Sequence, residues 1–141
     1  MCFGNQVDTE RTRERRYIAT EPHFYLGVLL AIHTMHSAED AAILMGRIKR
    51  GIRRCEGRSQ ADDQVMIIRR VPVPRSLGPA RVGYRMSYAG YPSSREFIVL
   101  VREGRRILLS QMNGDTLDTD RRVSWEFKRR KAIAAMRLLQ R

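Results

Sequence analysis

Three histidines and a nearby acid form the clearest candidate for metal chemistry. His33 and His36 lie three positions apart, and Glu39 follows three positions later, so these side chains could in principle hold an ion. A metal site needs three or four convergent ligands, and beyond the more distant His23 the sequence offers no second cluster. Favourable interaction with the C-terminal end of a helix dipole explains the histidines more simply. We therefore predict neither a metal nor any other cofactor.

Cys55 is the second candidate, because it follows Arg53 and Arg54, whose charges would favour a thiolate. The sequence shows no base or acceptor site beside it, and the two cysteines, Cys2 and Cys55, do not make a disulfide framework. We interpret Cys55 as a plain thiol, which fits a reducing compartment. Motifs of serine hydrolases, P-loop enzymes and dinucleotide-binding enzymes are also missing, so we predict that the protein is not an enzyme.

Positive charge dominates the composition. The 141 residues include 27 Lys and Arg against 15 Asp and Glu, and the formal net charge is +12. Of the 27 basic residues, 24 are arginines, which bind phosphate bidentately and stack on bases. A bias in the coding sequence could explain the ratio of Arg to Lys, but acids could still have balanced the charge. The imbalance indicates a polyanionic partner.

The basic residues concentrate in two places. Arg47, Arg50 and Arg54 recur at helical spacing and form one ridge, and residues 121–141 contain eight basic residues against the single acid Glu126. The predicted phosphate-binding residues are Arg47, Arg50, Arg54, Arg121, Arg122, Lys128, Arg129, Arg130 and Lys131. Contacts with phosphates position a protein on nucleic acid without reading its sequence, so we expect little sequence specificity.

The C-terminal segment allows other interpretations. It is amphipathic at both ends, so it could cover a sheet while its arginines face solvent. Its KRRK block could be a nuclear import signal or a polybasic patch. Trp125 and Leu138 lie thirteen positions apart in a basic amphipathic helix, a pattern that resembles calmodulin targets. The sequence leaves these alternatives open.

Tyrosines near one predicted strand raise the question of base stacking. Several RNA-binding sheets stack bases on exposed aromatic side chains that are flanked by arginines. Tyr84 and Tyr88 share a strand face with Val82 and Met86, so we expect them to pack in the core. Tyr91 is the better candidate for a stacking residue.

The elements that would position these residues follow from periodicity. Residues 1–19 mix arginines with acids and are predicted to form a flexible arm, and residues 20–141 a single α+β domain. An apolar run that begins at a Thr20 cap predicts one helix, and Ser37 begins a second. A period of two predicts strands between residues 65 and 112, and Asp118, Thr119 or Asp120 could cap a last helix. The predicted fold is α+β, with two N-terminal helices, a four-stranded antiparallel meander sheet and a C-terminal basic amphipathic helix packed on the sheet, all helices on one face.

Together these features predict a small, non-catalytic, arginine-rich protein that binds the phosphate backbone of RNA or DNA, with RNA favoured. A viral protein or a ribonucleoprotein subunit would have this profile. The alternative is an assembly or matrix-like protein whose basic surface docks on an acidic membrane or protein, and self-association would be compatible with either. The first twenty residues lack the apolar core of a signal peptide, so we expect an intracellular location in the cytoplasm or nucleus.

Overall fold

The computed structural model describes residues 11–21, 24–61, 64–113 and 124–141. Within these residues, one sheet of seven antiparallel strands is accompanied by two α-helices and a short 3-10 turn at Arg75–Leu77. The strands are β1 (Arg11–Glu21), β2 (Phe24–Thr34), β3 (Gly57–Ala61), β4 (Gln64–Arg70), β5 (Arg81–Tyr88), β6 (Tyr91–Glu103) and β7 (Arg106–Asn113), and the helices are α1 (Ala38–Cys55) and α2 (Trp125–Leu139). The spatial order of the strands is β1-β2-β7-β6-β5-β4-β3.

The two helices cover opposite faces of the sheet. In β6, Ile98 and Leu100 belong to a core cluster that includes residues of α1, whereas Phe97 and Val99 belong to a second cluster that includes residues of α2. Successive side chains of a strand point to opposite faces, so the two clusters lie on the two sides of the sheet. The prediction that all helices share one face was therefore wrong. A central strand as continuously apolar as β6 needs cover on both sides.

The predicted first N-terminal helix is the strand β2. It pairs with β1 along its whole length and with β7 from Gly27 to Thr34. Val28 and Ile32 pack against the cluster that contains α2, while Ala31 is buried on the other side. A short apolar run cannot be assigned to a buried helix or a buried strand from periodicity alone. Hydrogen bonding with two neighbouring strands decided between them.

The predicted N-terminal arm is also corrected. Residues 11–21 form the edge strand β1, and residues 1–10 lie outside the described part of the chain. Arg11, Arg13 and Arg15 alternate with Thr12 and Glu14, which is the period of a strand. Charged side chains suit an edge strand because they discourage pairing with another chain.

The four predicted strands correspond to β4, β5, β6 and β7, so the prediction missed β1, β2 and β3. The segment Gly57–Ala61, which looks like a polar loop in the sequence, is β3 and forms the edge beside β4. β4 ends at Arg70, although the Val71 amide still donates to the Gly83 carbonyl over 2.9 Å. Pro72 and Pro74 have no amide hydrogen to continue the ladder.

Serine side chains cap both helices. Ser37 caps α1 as its sequence pattern predicts, because the Asp40 amide donates to Ser37 Oγ over 3.0 Å. α2 is capped by Ser124, whose Oγ accepts from the Phe127 amide over 3.1 Å. The caps predicted between Asp118 and Asp120 lie outside the described residues. Neither α1 nor α2 is long and apolar enough to cross a membrane.

Candidate polyanion-binding face

α2 is anchored in the core of its own domain. Ala132, Ile133 and Met136 are buried against the sheet. The hydroxyl of Ser110, a buried side chain on β7, donates to the Ala132 carbonyl over 2.8 Å. These contacts mean that α2 can offer a partner only the side chains that point away from the sheet. Capture of the whole helix, as in calmodulin targets, would require its removal from the core.

Lys128, one of the predicted phosphate-binding residues, is buried in the structure. Its side chain is 0% exposed, and its Nζ donates to the Arg95 carbonyl over 2.7 Å. The same ammonium lies 5.3 Å from the centroid of the Trp125 ring. While α2 is docked, this charge cannot reach a phosphate. Helical spacing carried a signal for this, because Lys128 shares a face with Ala132 and Met136, four and eight positions later, but the prediction treated the whole basic block as outward-facing.

The rest of the basic block is more accessible. Arg130 and Lys131 are exposed. Arg129 is half-buried, donates through Nε to the Pro72 carbonyl over 3.2 Å and forms an ion pair with Glu126 at 3.4 Å. Arg121 and Arg122 lie outside the described residues. Of the predicted C-terminal cluster, the structure therefore shows Arg130 and Lys131 as exposed charges.

The second predicted cluster lies on the other side of the molecule. Arg47, Arg50 and Arg54 are all exposed on α1. Because α1 and α2 cover opposite faces of the sheet, this ridge and the C-terminal block cannot contact the same straight stretch of nucleic acid. A binding surface has to be assembled from one face.

On the α2 side, β1 contributes a row of arginines that the sequence prediction missed. Arg11, Arg13 and Arg15 are exposed at alternate positions of this strand. Arg13 pairs with Ile32, whose side chain packs against the cluster containing α2, so the row lies on the α2 side. The alternation in the sequence was the available signal.

A second group of arginines lies on the other flank of α2. Arg69 on β4 pairs with Arg85 on β5, which pairs in turn with the buried Phe97 of the α2-side cluster. Two like charges directly opposite each other are normally unfavourable in a sheet. Cation–π contacts with the Trp125 ring offset this repulsion. The guanidinium carbons of Arg85 and Arg95 lie 5.2 Å and 4.3 Å from the centroid of the ring. Trp125 is half-buried, whereas Leu138 is 61% exposed, so these two proposed anchors do not share one environment.

The face of the molecule that carries α2 is strongly basic. Its described cationic side chains include Arg11, Arg13, Arg15, Arg69, Arg81, Arg85, Arg95, Arg130, Lys131 and Arg137. Its described acids are Glu103 and Glu126, and each forms an ion pair, with Arg106 at 3.3 Å and with Arg129 at 3.4 Å. We call this surface the α2 face. Its excess of cations over acids makes it the candidate site for a polyanion.

The tyrosines and histidines of the sequence prediction lie elsewhere. Tyr84 and Tyr88 pack in or against the α1-side core, and burial raises the pKa of both hydroxyls. The side chain of Tyr91 lies outside what the structure describes. Burial lowers the pKa of His33, whose Nδ1 lies 3.2 Å from Thr12 Oγ1. In the described parts of the chain, no group of three His, Cys, Asp or Glu side chains is arranged to hold a metal ion.

Cys55 is not a free thiol. It lies at the C-terminal end of α1, is buried, and is disulfide-bonded. The only other cysteine of the sequence, Cys2, lies outside the described residues. The interpretation of Cys55 as a plain thiol was wrong, and the expectation of a reducing compartment loses the observation on which it rested.

Comparison with known proteins gives a likeness of fold. No family model and no curated protein matches the chain. Its structure is similar to the crystal structure of the extracellular domain of PknH from Mycobacterium tuberculosis, with a TM-score of 0.56 and 10% sequence identity. The match covers 89% of this chain but only 64% of the PknH chain. Identity this low shows a shared fold and carries no function with it.

Proposed function

We propose that this protein is a non-catalytic module that binds nucleic acid, with RNA favoured, by contacting its phosphate backbone through the α2 face. The observation that carries the proposal is the charge of that face, where the described cations outnumber the two described acids and both acids are in ion pairs. Binding a polyanion would relieve the repulsion among these cations and release counterions from the nucleic acid.

The spacing of the arginines supports a long rather than a small anion. Neighbouring strands are about 4.8 Å apart, so β1 and β5, which are separated by β2, β7 and β6, lie about 19 Å apart. α2 lies between the two arginine groups. A ligand that contacts both has to extend across the helix, as a phosphodiester chain can. Such contacts would not read bases, so sequence specificity should be low.

The test compares two variants that remove the same charge from opposite faces. One carries Arg11→Gln, Arg13→Gln and Arg15→Gln on β1; its matched control carries Arg47→Gln, Arg50→Gln and Arg54→Gln on α1. Fluorescence anisotropy with single- and double-stranded RNA and DNA across a salt series would give the affinity and the salt slope for each. We expect the β1 variant to lose about 0.7 to 0.9 of slope for each phosphate contact removed and the α1 variant to lose less.

Equal losses in the two variants would mean that only net charge matters and would remove the α2 face from the proposal. Wild-type binding that disappears at physiological salt for all four nucleic acids would overturn nucleic acid as the partner. The form bound most tightly would also decide between RNA and DNA. Double-stranded RNA has a major groove too deep and narrow for side chains to read, so strong binding to it would indicate contacts to the backbone.

A second candidate function rests on the disulfide of Cys55. Disulfides persist mainly outside the cytoplasm. In this alternative to an intracellular nucleic-acid-binding protein, the α2 face docks on an anionic membrane or an acidic protein during assembly. Co-sedimentation with vesicles of neutral lipid, with and without anionic lipid, tests the membrane version. Binding that requires anionic lipid, together with weak nucleic-acid binding, would favour this candidate.

A further inference from the structure

A depression of about 530 Å³ lies where the chain leaves β4 and enters β5. β5 begins at Arg81, but its pairing with β4 starts only at Tyr84, so residues 81–83 lie beside the segment that follows β4. Val71, Val73 and Val82 give this depression apolar walls. Its volume falls within the range of about 300 to 1,000 Å³ that is typical of small-molecule sites. It borders the α2 face, because Val71 and Val73 pack against the cluster that contains α2 and Arg81 pairs with Val101 of that cluster.

The shape of the depression is fixed by close packing. A Cβ atom on Gly83 would overlap Val73 Cγ1 and would lie 2.9 Å from the Val71 carbonyl oxygen. Only glycine therefore allows residues 71–73 to approach β5 this closely. The Val71 amide also donates to the Gly83 carbonyl over 2.9 Å. The apolar wall is thus held in place before any ligand arrives.

Arg81 supplies a positioned positive charge. Its Nε donates to the Val73 carbonyl over 3.2 Å, and its Nη1 donates to the Gly78 carbonyl over 3.0 Å. Among the described residues, its Nη2 has no hydrogen-bond partner. The two bonds to the backbone hold the guanidinium in one orientation, so little side-chain freedom would be lost when a ligand binds.

The other charges that line the depression compensate each other. Arg70 Nε lies 2.9 Å from Glu56 Oε2, and the Arg70 amide donates to Glu56 Oε1 over 3.2 Å. The Arg70 amide bond is the largest cause of the lowered pKa of Glu56, which keeps this carboxylate charged. Arg81 is therefore the one described cation lining the depression without an acidic partner. The carboxylate of Glu56, paired with Arg70, lines the same depression. This arrangement suits a single negative charge better than the two charges of a phosphate monoester.

We propose that this depression binds a small amphiphilic monoanion, an alkyl or aryl carboxylate. The carboxylate accepts from Arg81 Nη2, and the apolar part packs on Val71, Val73 and Val82. The proposal does not depend on nucleic-acid binding, because it involves another class of ligand.

Titration of the isotope-labelled full chain with octanoate, followed by amide NMR shifts, tests the proposal. We expect saturable shifts at Val71, Val73, Arg81 and Val82, and at least tenfold weaker binding of the neutral analogue octanamide and of octyl phosphate. Arg81→Gln should weaken octanoate binding at least tenfold. The matched control Arg75→Gln, which removes an exposed arginine from the neighbouring 3-10 turn, should leave the affinity unchanged.

Glu56→Gln gives a second test that does not disturb the bonds of Arg81 to the backbone. Removal of its negative charge should strengthen octanoate binding, because the repulsion between the two carboxylates is lost. The proposal can therefore still be tested if Arg81→Gln does not fold. Unchanged or weaker binding by Glu56→Gln would overturn it. Equal affinity for octanoate and octanamide, or equal losses in Arg81→Gln and Arg75→Gln, would do the same. Shifts scattered over both basic faces would show non-specific attraction and reject the site.

Discussion

Basic side chains have different roles in this protein, and their surroundings separate those roles. Arg47 is exposed on α1 and free to meet solvent or a partner. Arg85 lies over the Trp125 ring, and Arg81 is fixed by two backbone carbonyls. Lys128 is completely buried and ties α2 to β6 through the Arg95 carbonyl. The formal charge of a residue therefore does not say whether it binds a ligand, stabilises the fold or does both.

Truncation should destabilise the protein at Lys128 but not at Arg130. Lys128→Ala leaves a cavity and an unsatisfied Arg95 carbonyl, so we expect the free energy of unfolding to fall by about 2 to 4 kcal/mol. Arg130→Ala removes an exposed side chain and should change it by less than about 0.5 kcal/mol. Urea denaturation measures both values. A stable Lys128→Ala variant with reduced nucleic-acid affinity would show that Lys128 contributes to binding.

Glu96 should make stability depend on pH. Burial raises the pKa of this carboxyl above its ordinary value of 4.5, and the charge of Lys128 offsets part of the rise. The folded protein therefore binds this proton more tightly than the unfolded chain, and the charged carboxylate weakens the fold above the raised pKa. We expect Glu96→Gln to have a higher melting temperature than the wild type at about pH 7. It should lose that advantage once the pH falls below 4.5, the ordinary pKa of the carboxyl. Thermal melts across this pH range measure the difference, and a Glu96→Gln variant less stable at neutral pH would contradict it.

At the scale of elements, hydrogen bonding between strands decides whether a segment forms a strand or a helix where the local sequence pattern allows both. β2 is apolar enough for a buried helix, but β1 and β7 take up its backbone groups on both edges. β1 in turn has a polar sequence that would be soluble as a coil, and it is ordered by eleven paired positions along β2. α1 and α2, by contrast, carry their own start signals in Ser37 and in Ser124.

Two glycines inside regular elements should have opposite effects when changed to alanine. Gly46 lies in the middle of α1, where a Cβ would meet only the flexible end of Arg50 at 3.3 Å. Gly46→Ala should raise the free energy of unfolding by about 0.5 to 1 kcal/mol, because alanine is the better helix former. Gly83→Ala should lower it by about 1 to 3 kcal/mol, because the added methyl overlaps Val73. Chemical denaturation of the two variants checks the signs, and a neutral Gly83→Ala would show that Val73 can move.

At the scale of the whole molecule, the sheet separates two basic surfaces that the sequence does not distinguish. The α1 ridge includes Arg47 and lies on the side that also carries the described acids Glu56 and Glu96. The α2 face combines arginines from β1, from β4 to β6 and from the helix itself. A single polyanion can meet this combined surface because residues far apart in the chain are brought to one side of the sheet.

The disulfide of Cys55 has a direct chemical test at this scale. In the unreduced, folded protein we expect no alkylation of Cys55, whereas reduction should expose it to alkylation, as peptide mapping by mass spectrometry would show. Loss of a disulfide typically costs about 2 to 4 kcal/mol, so reduction should also lower the melting temperature. Alkylation of Cys55 without a reductant, under denaturing conditions, would restore the plain-thiol interpretation and weaken the second candidate function.

The sequence by itself determined the features that depend on short stretches of chain. Ser37 and the apolar stripe after it predict α1, alternating residues predict most of β4 to β7, and the apolar positions after Trp125 predict α2. It also determined the large positive charge. These properties follow from local backbone preference and side-chain periodicity, which do not require knowledge of distant residues.

Only the tertiary structure decided which residues become neighbours. It placed β1 and β2 in the sheet because their backbone groups find partners there, and it placed α1 and α2 on opposite faces because β6 is apolar on both. It gave the Lys128 ammonium an acceptor in the Arg95 carbonyl, and it brought Arg11, Arg13 and Arg15 to the same side of the sheet as the arginines beside Trp125. Burial and long-range pairing are properties of the assembled sheet, so no local pattern in the chain could have shown them.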